Sequence, residues 1–229
     1  MANLFYESKL FSTAEADFLV HYKVNCVNDI HFNSQWNLRN TGQNGGTSGI
    51  DIKYCDARSI TTGNSNIIVA VLDEGIQKNH PDITNLHSFS FDAQSGNSPS
   101  ILYGDHGTQC AGIIGANTNS IIPTGVAGIA PNCRLMDISH SLWVTPNVHQ
   151  ELARGIDRAW RNGAAVISNS WGHGVLLNSD YINDAIDSAL IRGRQGRGTV
   201  VVFSSGNDDT NVLYPANSNP GIIAVGAID

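Results

Sequence analysis

A series of short apolar runs, separated by stretches with helical spacing, leaves this chain few folds to adopt. Ile67 to Leu72 reads IIVAVL, Arg134 to Ile138 reads RLMDI, Ala165 to Ser168 reads AVIS, Thr199 to Phe203 reads TVVVF and Ile222 to Val225 reads IIAV. A continuous apolar run of this length fits a strand buried on both faces. Between the runs, His106 to Ala116, Val148 to Asn162 and Asp180 to Arg192 have helical character, and Gly163 and Gly193 stand where the last two should stop. Strands alternating with helices predict an α/β fold with a mainly parallel sheet covered on both sides.

The first 25 residues read differently. Asn3 to Glu15 is predicted as an amphipathic helix and Phe18 to Val24 as a short strand, and residues 40–49 are a turn-rich connection at which a boundary is expected. With 229 residues the chain is long enough for one sizeable core, and a net charge of −7 without a basic block argues against nucleic acid and anionic membrane as partners. No apolar stretch reaches the length of a membrane span, and the start of the chain lacks a signal-peptide pattern. Four cysteines (Cys26, Cys55, Cys110, Cys133) form no C-x-x-C pair. An even count permits two disulfides without arguing for them, and four separate thiols are expected.

In open parallel sheets, ligands sit beyond the carboxyl ends of the strands. Asp73 follows IIVAVL, Ser170-Trp171-Gly172 follows AVISN, Gly206-Asn207 follows TVVVFSS, and His106 opens a helix. A serine hydrolase needs a base for the hydroxyl proton and a carboxylate to hold that base in the right tautomer. Asp73 and His106 are of the right types. Fixed donors must also face the developing oxyanion, and Asn207 stands where a side-chain amide can serve.

With these residues in place, the chain resembles the subtilisin-like serine proteases, the subtilases or peptidase S8 family. Leu72-Asp73-Glu74-Gly75-Ile76 with His80-Pro81-Asp82-Ile83 resembles the family's catalytic-Asp segment, and Gly104 to Gly112 its catalytic-His segment. Val126 to Pro131 is similar to the loop that follows. Ser168 to Gly172 resembles the strand lining the primary specificity pocket, and Val201 to Asn207 the oxyanion segment. Tyr214-Pro215-Ala216 and Ile222 to Ala227 resemble the stretch beyond it. The resemblance covers roughly residues 34–229. It implies a subtilisin-like three-layer fold, with residues 26–229 as an incomplete peptidase domain and residues 1–25 as the end of a propeptide. It also implies a peptide or protein substrate, with secretion or a cell-envelope location. Asp73 would be the orienting carboxylate, His106 the general base and then acid, and Asn207 the oxyanion donor. Ser170, Trp171 and Gly172 would pair with substrate backbone, and Ser204, Ser205 and Gly206 would form the opposite wall. Trp171 stands where smaller residues are common.

Some departures qualify this. The family order is Asp, His, then a Ser in a Gly-Thr-Ser-x-Ala motif, and no such motif follows Asn207 within these residues. Gly46-Thr47-Ser48-Gly49 precedes Asp73 and lies in the turn-rich loop, so Ser48 is not expected to be the nucleophile. The chain by itself is therefore expected to be inactive, to need a C-terminal complementing segment, and to carry an exposed sheet edge. Glu74 replaces the commoner Ser or Thr, and Gln109 a frequent second His. Cys110 lies one helical turn beyond His106, and the resemblance to thiol-dependent members implies a free thiol beneath the imidazole. Asp82 and the Asn117 to Ile121 segment match positions that bind calcium in some members, with Asp82 and Asn119 as the side chains carried over. No cofactor is required for the chemistry. The competing readings are a non-catalytic peptide-binding relative, one half of a split protease, and a nucleotide-binding module. The last has neither a Gly-x-Gly-x-x-Gly after a strand nor a P-loop to support it.

Overall fold

Strand β1 (Ile68–Asp73) runs through the middle of a six-stranded parallel sheet of order β2-β3-β1-β4-β5-β6. Its neighbours are β3 (Arg134–Ser139) and β4 (Val166–Asn169); β2 (Phe91–Asp92) pairs with β3, β5 (Val200–Ser204) with β4, and β6 (Ile222–Val225) with β5. This is a computed structural model, and it describes residues 26–118, 125–172 and 178–227. The helix and strand expected over 3–15 and 18–24 lie outside the described residues.

Strand parity decides what each face holds. Val69, Val71 and Leu135 point to one side and pack under helix α2 (His106–Gly115), with Ile76, Ile83 and Ala111. Ala70, Leu72, Met136, Ile138 and Ile167 point to the other, under α3 (Val148–Arg161) and α4 (Asp180–Gly196). Each helix buries a stripe at helical spacing, Val148, Leu152, Ile156 and Ala159 on α3, and Ile182, Ile186 and Ala189 on α4. α2 instead buries Gly107, Ala111, Gly112 and Gly115, small residues that bring its axis close to the sheet. Regular helical backbone in α4 stops before Gly193, as the sequence predicts; Gly193 is extended, and Arg194 and Gln195 are left-handed.

Two elements escape the sequence pattern, the two-residue β2 and α1 (Tyr54–Ile60). α1 belongs to an N-terminal layer in which Val27, Phe32, Leu38 and Tyr54 pack on Ala127. The side-chain amide of Gln35 both donates to the Ala127 carbonyl (3.0 Å) and accepts from its N–H (2.8 Å), and the Tyr54 hydroxyl donates to the Gly128 carbonyl. This layer brings Cys26 against Cys55 in a disulfide, so the expectation of four separate thiols is wrong for that pair; Cys110 and Cys133 are free. The pairing depends on how the layer folds over, which spacing alone does not encode.

At the far side of the sheet, β6 is an edge strand, with Ile223 and Val225 each 51% exposed. Among the described residues no helix is long and apolar enough to cross a membrane.

Candidate active site

From β1 the chain first builds β2 and β3 on one side, then β4, β5 and β6 on the other. Asp73, the last residue of β1, thus lies where the winding reverses, the position at which open α/β sheets leave a crevice. Asp73 shares the parity of Val69 and Val71, so it faces α2. His106 is the first residue of α2, and its Nδ1 lies 2.7 Å from Asp73 Oδ1. The carboxylate is 1% exposed while 48% of the imidazole is exposed. Asp73 Oδ1 also accepts from the Glu74 N–H at 2.8 Å, and the Asp73 carbonyl accepts from the His140 N–H at 2.8 Å. A buried carboxylate bonded to Nδ1 leaves Nε2 as the ring nitrogen free to exchange protons at the surface.

Residues 98–105 form a strap over the turn after Asp73, joining it to His106. The Tyr103 N–H donates to the Glu74 carbonyl at 2.7 Å, and the Ile101 N–H to Ser139 Oγ at 2.9 Å. The turn itself is tied to α2 by the Gln77 N–H, which donates to Thr108 Oγ1 at 2.9 Å. Gly75 has φ +95°, a conformation that favours glycine, and a Cβ there would collide with the Ile101 carbonyl. A Cβ on Gly107 would collide with the Gly75 carbonyl in turn. Two glycines therefore permit the backbone approach that puts His106 on Asp73.

Asp137 on β3 anchors the same region from below. Its Oδ1 accepts from the Ile76 N–H at 3.1 Å, and its Oδ2 makes a short bond with the Ser100 hydroxyl. Burial pushes its carboxyl up to about 6, partly opposed by the bonds from Ser100 and Ile76. A raised carboxyl favours folding below its unfolded value near 3.8, and that contribution is lost as pH rises through about 6. Asp137→Asn keeps the shape without the charge. It should match the parent's melting temperature near pH 4 and exceed it by several degrees at pH 8, a gain of about 2 kcal/mol. Equal melting temperatures at pH 8 would contradict this.

Cys110, one turn beyond His106, is free and partly buried. Its Sγ lies 3.9 Å from both Nδ1 and Nε2 of His106. Asp73, His106 and Cys110 thus offer ligand atoms within 4.8 Å of one another, with His106 Nδ1 already bonded to Asp73 Oδ1. Burial raises the thiol, while a hydrogen bond with Ser170 pulls the other way, which puts Ser170 beside the dyad.

The other expected residues follow the neighbouring strands. Ser170, Trp171 and Gly172 leave β4, and Ser205, Gly206 and Asn207 leave β5. Trp171 has the parity of Ile167 and turns inward, 6% exposed. Its indole N–H donates to the Leu72 carbonyl at 2.9 Å, and its ring meets Phe203 edge-on at 5.0 Å. The side chain thus packs into the core below the end of β4. Ser205, Gly206 and Asn207 line a cleft of about 500 Å³ with Asp208, Asp209 and Thr210. Ser204 is the last residue of β5. Asn207 is exposed. No serine among the described residues is hydrogen-bonded to His106, and the Ser48 hydroxyl donates to the Asn40 carbonyl in its own loop.

Asp82 is 1% exposed; its Oδ2 accepts from the Val126 N–H at 2.9 Å, and its Oδ1 is buried without a partner among the described residues. Asn119 lies outside the described residues. Sequence reasoning missed Asp137, Ser100 and Tyr103; the available signal was a charged residue inside the buried run RLMDIS.

Residues 64–229 match the profile of the subtilase family, peptidase S8. The chain is 31% identical over 199 residues to the thermophilic serine proteinase of a Bacillus species, covering 86% of this chain and 47% of that protein. It is 30% identical over 207 residues to the calcium-dependent protease of a Nostoc species, covering 79% of this chain and 29% of that protein. Among solved structures, the prenylagaramide maturation protease PagA superposes with a TM-score of 0.58 at 28% identity, over 78% of this chain and 59% of that one. The chain spans less than half the length of these two sequence relatives. Taken with a parallel sheet that ends in a bonded Asp–His pair, the match over residues 64–229 places the chain in the subtilase family.

Proposed function

We propose that the protein is a serine-type endopeptidase acting on peptide or protein substrates. The observation that carries this is the 2.7 Å bond between buried Asp73 and half-exposed His106 at the switch point of the sheet. Asp73 holds the Nδ1–H tautomer, so Nε2 takes the proton of the attacking hydroxyl and then returns it to the leaving amine. Asp73 also stabilises the imidazolium formed between those steps. The Asn207 amide donates to the oxyanion of the tetrahedral intermediate. The backbone of Ser170, Trp171 and Gly172 pairs with one side of the substrate, and Ser204, Ser205 and Gly206 form the facing wall. The nucleophilic serine comes from polypeptide outside these 229 residues, as a continuation or a complementing segment, and residues 1–25 are the end of a propeptide. The Cys26–Cys55 disulfide suits an oxidising compartment, in keeping with secretion or a cell-envelope location.

A fluorophosphonate probe tests the assignment. The 229-residue chain should remain unlabelled, and the same chain extended through a Gly-Thr-Ser-x-Ala segment should label stoichiometrically and cleave casein. Labelling of the short chain would mean that the nucleophile lies within it. An extended protein that binds peptides but neither labels nor cleaves would be a peptide-binding relative.

A structural calcium ion fits Asp82. A buried carboxylate with one oxygen unsatisfied is costly, and a hard cation bound by several oxygens relieves that cost. Burial raises this carboxyl, the direction expected of a charge without a counterion. The ion would supply charge compensation where the Asp82 turn meets residues 117 and 126, whose N–H groups donate to the Asp82 carbonyl and side chain. Chelation should lower the melting temperature by about 5–10 °C, and calcium should restore it. A melting temperature indifferent to chelator would remove calcium from the assignment.

A further inference from the structure

We propose that Asp137 is a positioning residue for the Asp73–His106 dyad: one buried carboxylate fastens both the turn that follows Asp73 and the strap that precedes His106. This rests on the reading of Asp73 and His106 as the working pair. Asp137 sits on the α2 face of β3, 4% exposed, and is paired in register with Val71, two residues before Asp73. Its two oxygens serve different segments. Oδ1 takes the Ile76 N–H, three residues after Asp73, and Oδ2 takes the Ser100 hydroxyl, six residues before His106. Ser139, two residues on, accepts the Ile101 N–H, so the strap is held at consecutive residues by one strand. Two charged groups face Asp137 from other elements. Lys78, in the turn, reaches the Ser100 carbonyl at 3.3 Å, and Asp92, on β2, accepts bonds from Ser139 Oγ and the Tyr103 hydroxyl.

The location explains why a carboxylate is retained at a site where burial disfavours it. The turn and the strap cross backbone to backbone at Gly75 and Ile101, where Gly75 brings no side chain to set their separation. A rigid two-oxygen acceptor beneath the crossing fixes both at once. Because the dyad residues lie at the two ends of these segments, movement there changes the Asp73–His106 distance directly, and misplacement by about 1 Å is enough to cost about 10²-fold in rate.

The test reads the dyad without requiring catalysis. In the ¹⁵N-labelled 229-residue chain, the Nδ1 proton of His106 should give a low-field resonance, assigned by its loss in His106→Ala. Asp137→Leu removes both acceptors and should abolish the resonance in a protein with parent-like circular dichroism. Asp137→Asn keeps an acceptor for Ile76 and presents an amide donor to Ser100 Oγ, and should restore it. Ser100→Ala releases only the strap and should speed exchange of the proton with solvent by about tenfold. A folded Asp137→Leu protein with the parent's resonance overturns the proposal. Should Asp137→Leu not fold, an unchanged exchange rate in Ser100→Ala overturns it instead. Failure of the peptidase reading shows separately, as an extended protein that takes no fluorophosphonate while these resonances behave as described.

Discussion

In the protein that carries its nucleophile, Asp73→Asn should lower kcat by about 10⁴-fold with little change in KM, a magnitude carried over from serine proteases including subtilisin, a member of this family. The cause is the tautomer. The carboxylate accepts the Nδ1–H of His106 at 2.7 Å while also accepting the Glu74 N–H. An amide in its place can turn its NH₂ toward Nδ1, which moves the ring proton to Nε2 and removes the base that must face the serine. Stability should change far less than rate, since the amide nearly matches the carboxylate in shape. Steady-state kinetics on a peptide anilide would check this. A loss below tenfold would mean that His106 is oriented by other contacts and that Asp73 is not its partner in catalysis.

Trp171→Ala carries the largest expected cost in stability, about 4–5 kcal/mol. Truncating a buried Trp costs about 3–5 kcal/mol through lost transfer energy and the cavity left behind. Here the Leu72 carbonyl also loses its indole donor, and Phe203 loses an edge-on partner. Against a total stability of about 5–15 kcal/mol this is close to unfolding. Trp171→Phe should cost less, about 1–3 kcal/mol, because a ring remains but the donor does not. Urea midpoints of the three proteins would decide. If Ala and Phe variants unfold together with the parent, the indole is not the wedge between β1, β4 and β5 that the structure describes. The same side chain supports Asp73 through Leu72 and the backbone of Ser170 and Gly172, so surviving variants should also lose activity.

The strands and long helices were legible because their signal is local. IIVAVL, TVVVF and IIAV fix their own strands to within a residue, and Gly193 ends the regular part of α4 where the pattern says. Parity then predicts which side of β1 Asp73 occupies. Elements with no local signal were missed. β2 is two residues long and has no period, and α1 begins after a left-handed Lys53 without a side-chain cap. Asp137 was unreadable for another reason. Its partners Ile76 and Ser100 lie 61 and 37 residues away in sequence, so only the assembled fold shows what an acid does inside an apolar strand. The inward turn of the Trp171 side chain was available in principle from the parity of Ile167.

The Cys26–Cys55 bond closes a ring around 29 residues of sequence separation, and inside that ring lies the glycine-rich, exposed stretch from Gly42 to Gly49. Exposed loops of small polar residues are where proteases nick folded chains. A cut there would not release the N-terminal layer. The severed ends would stay covalently joined through sulfur, and the Gln35 and Tyr54 anchors on residues 127 and 128 would keep their attachment. The exposed Gly42 to Gly49 loop is thus placed where a single cleavage leaves the molecule in one piece.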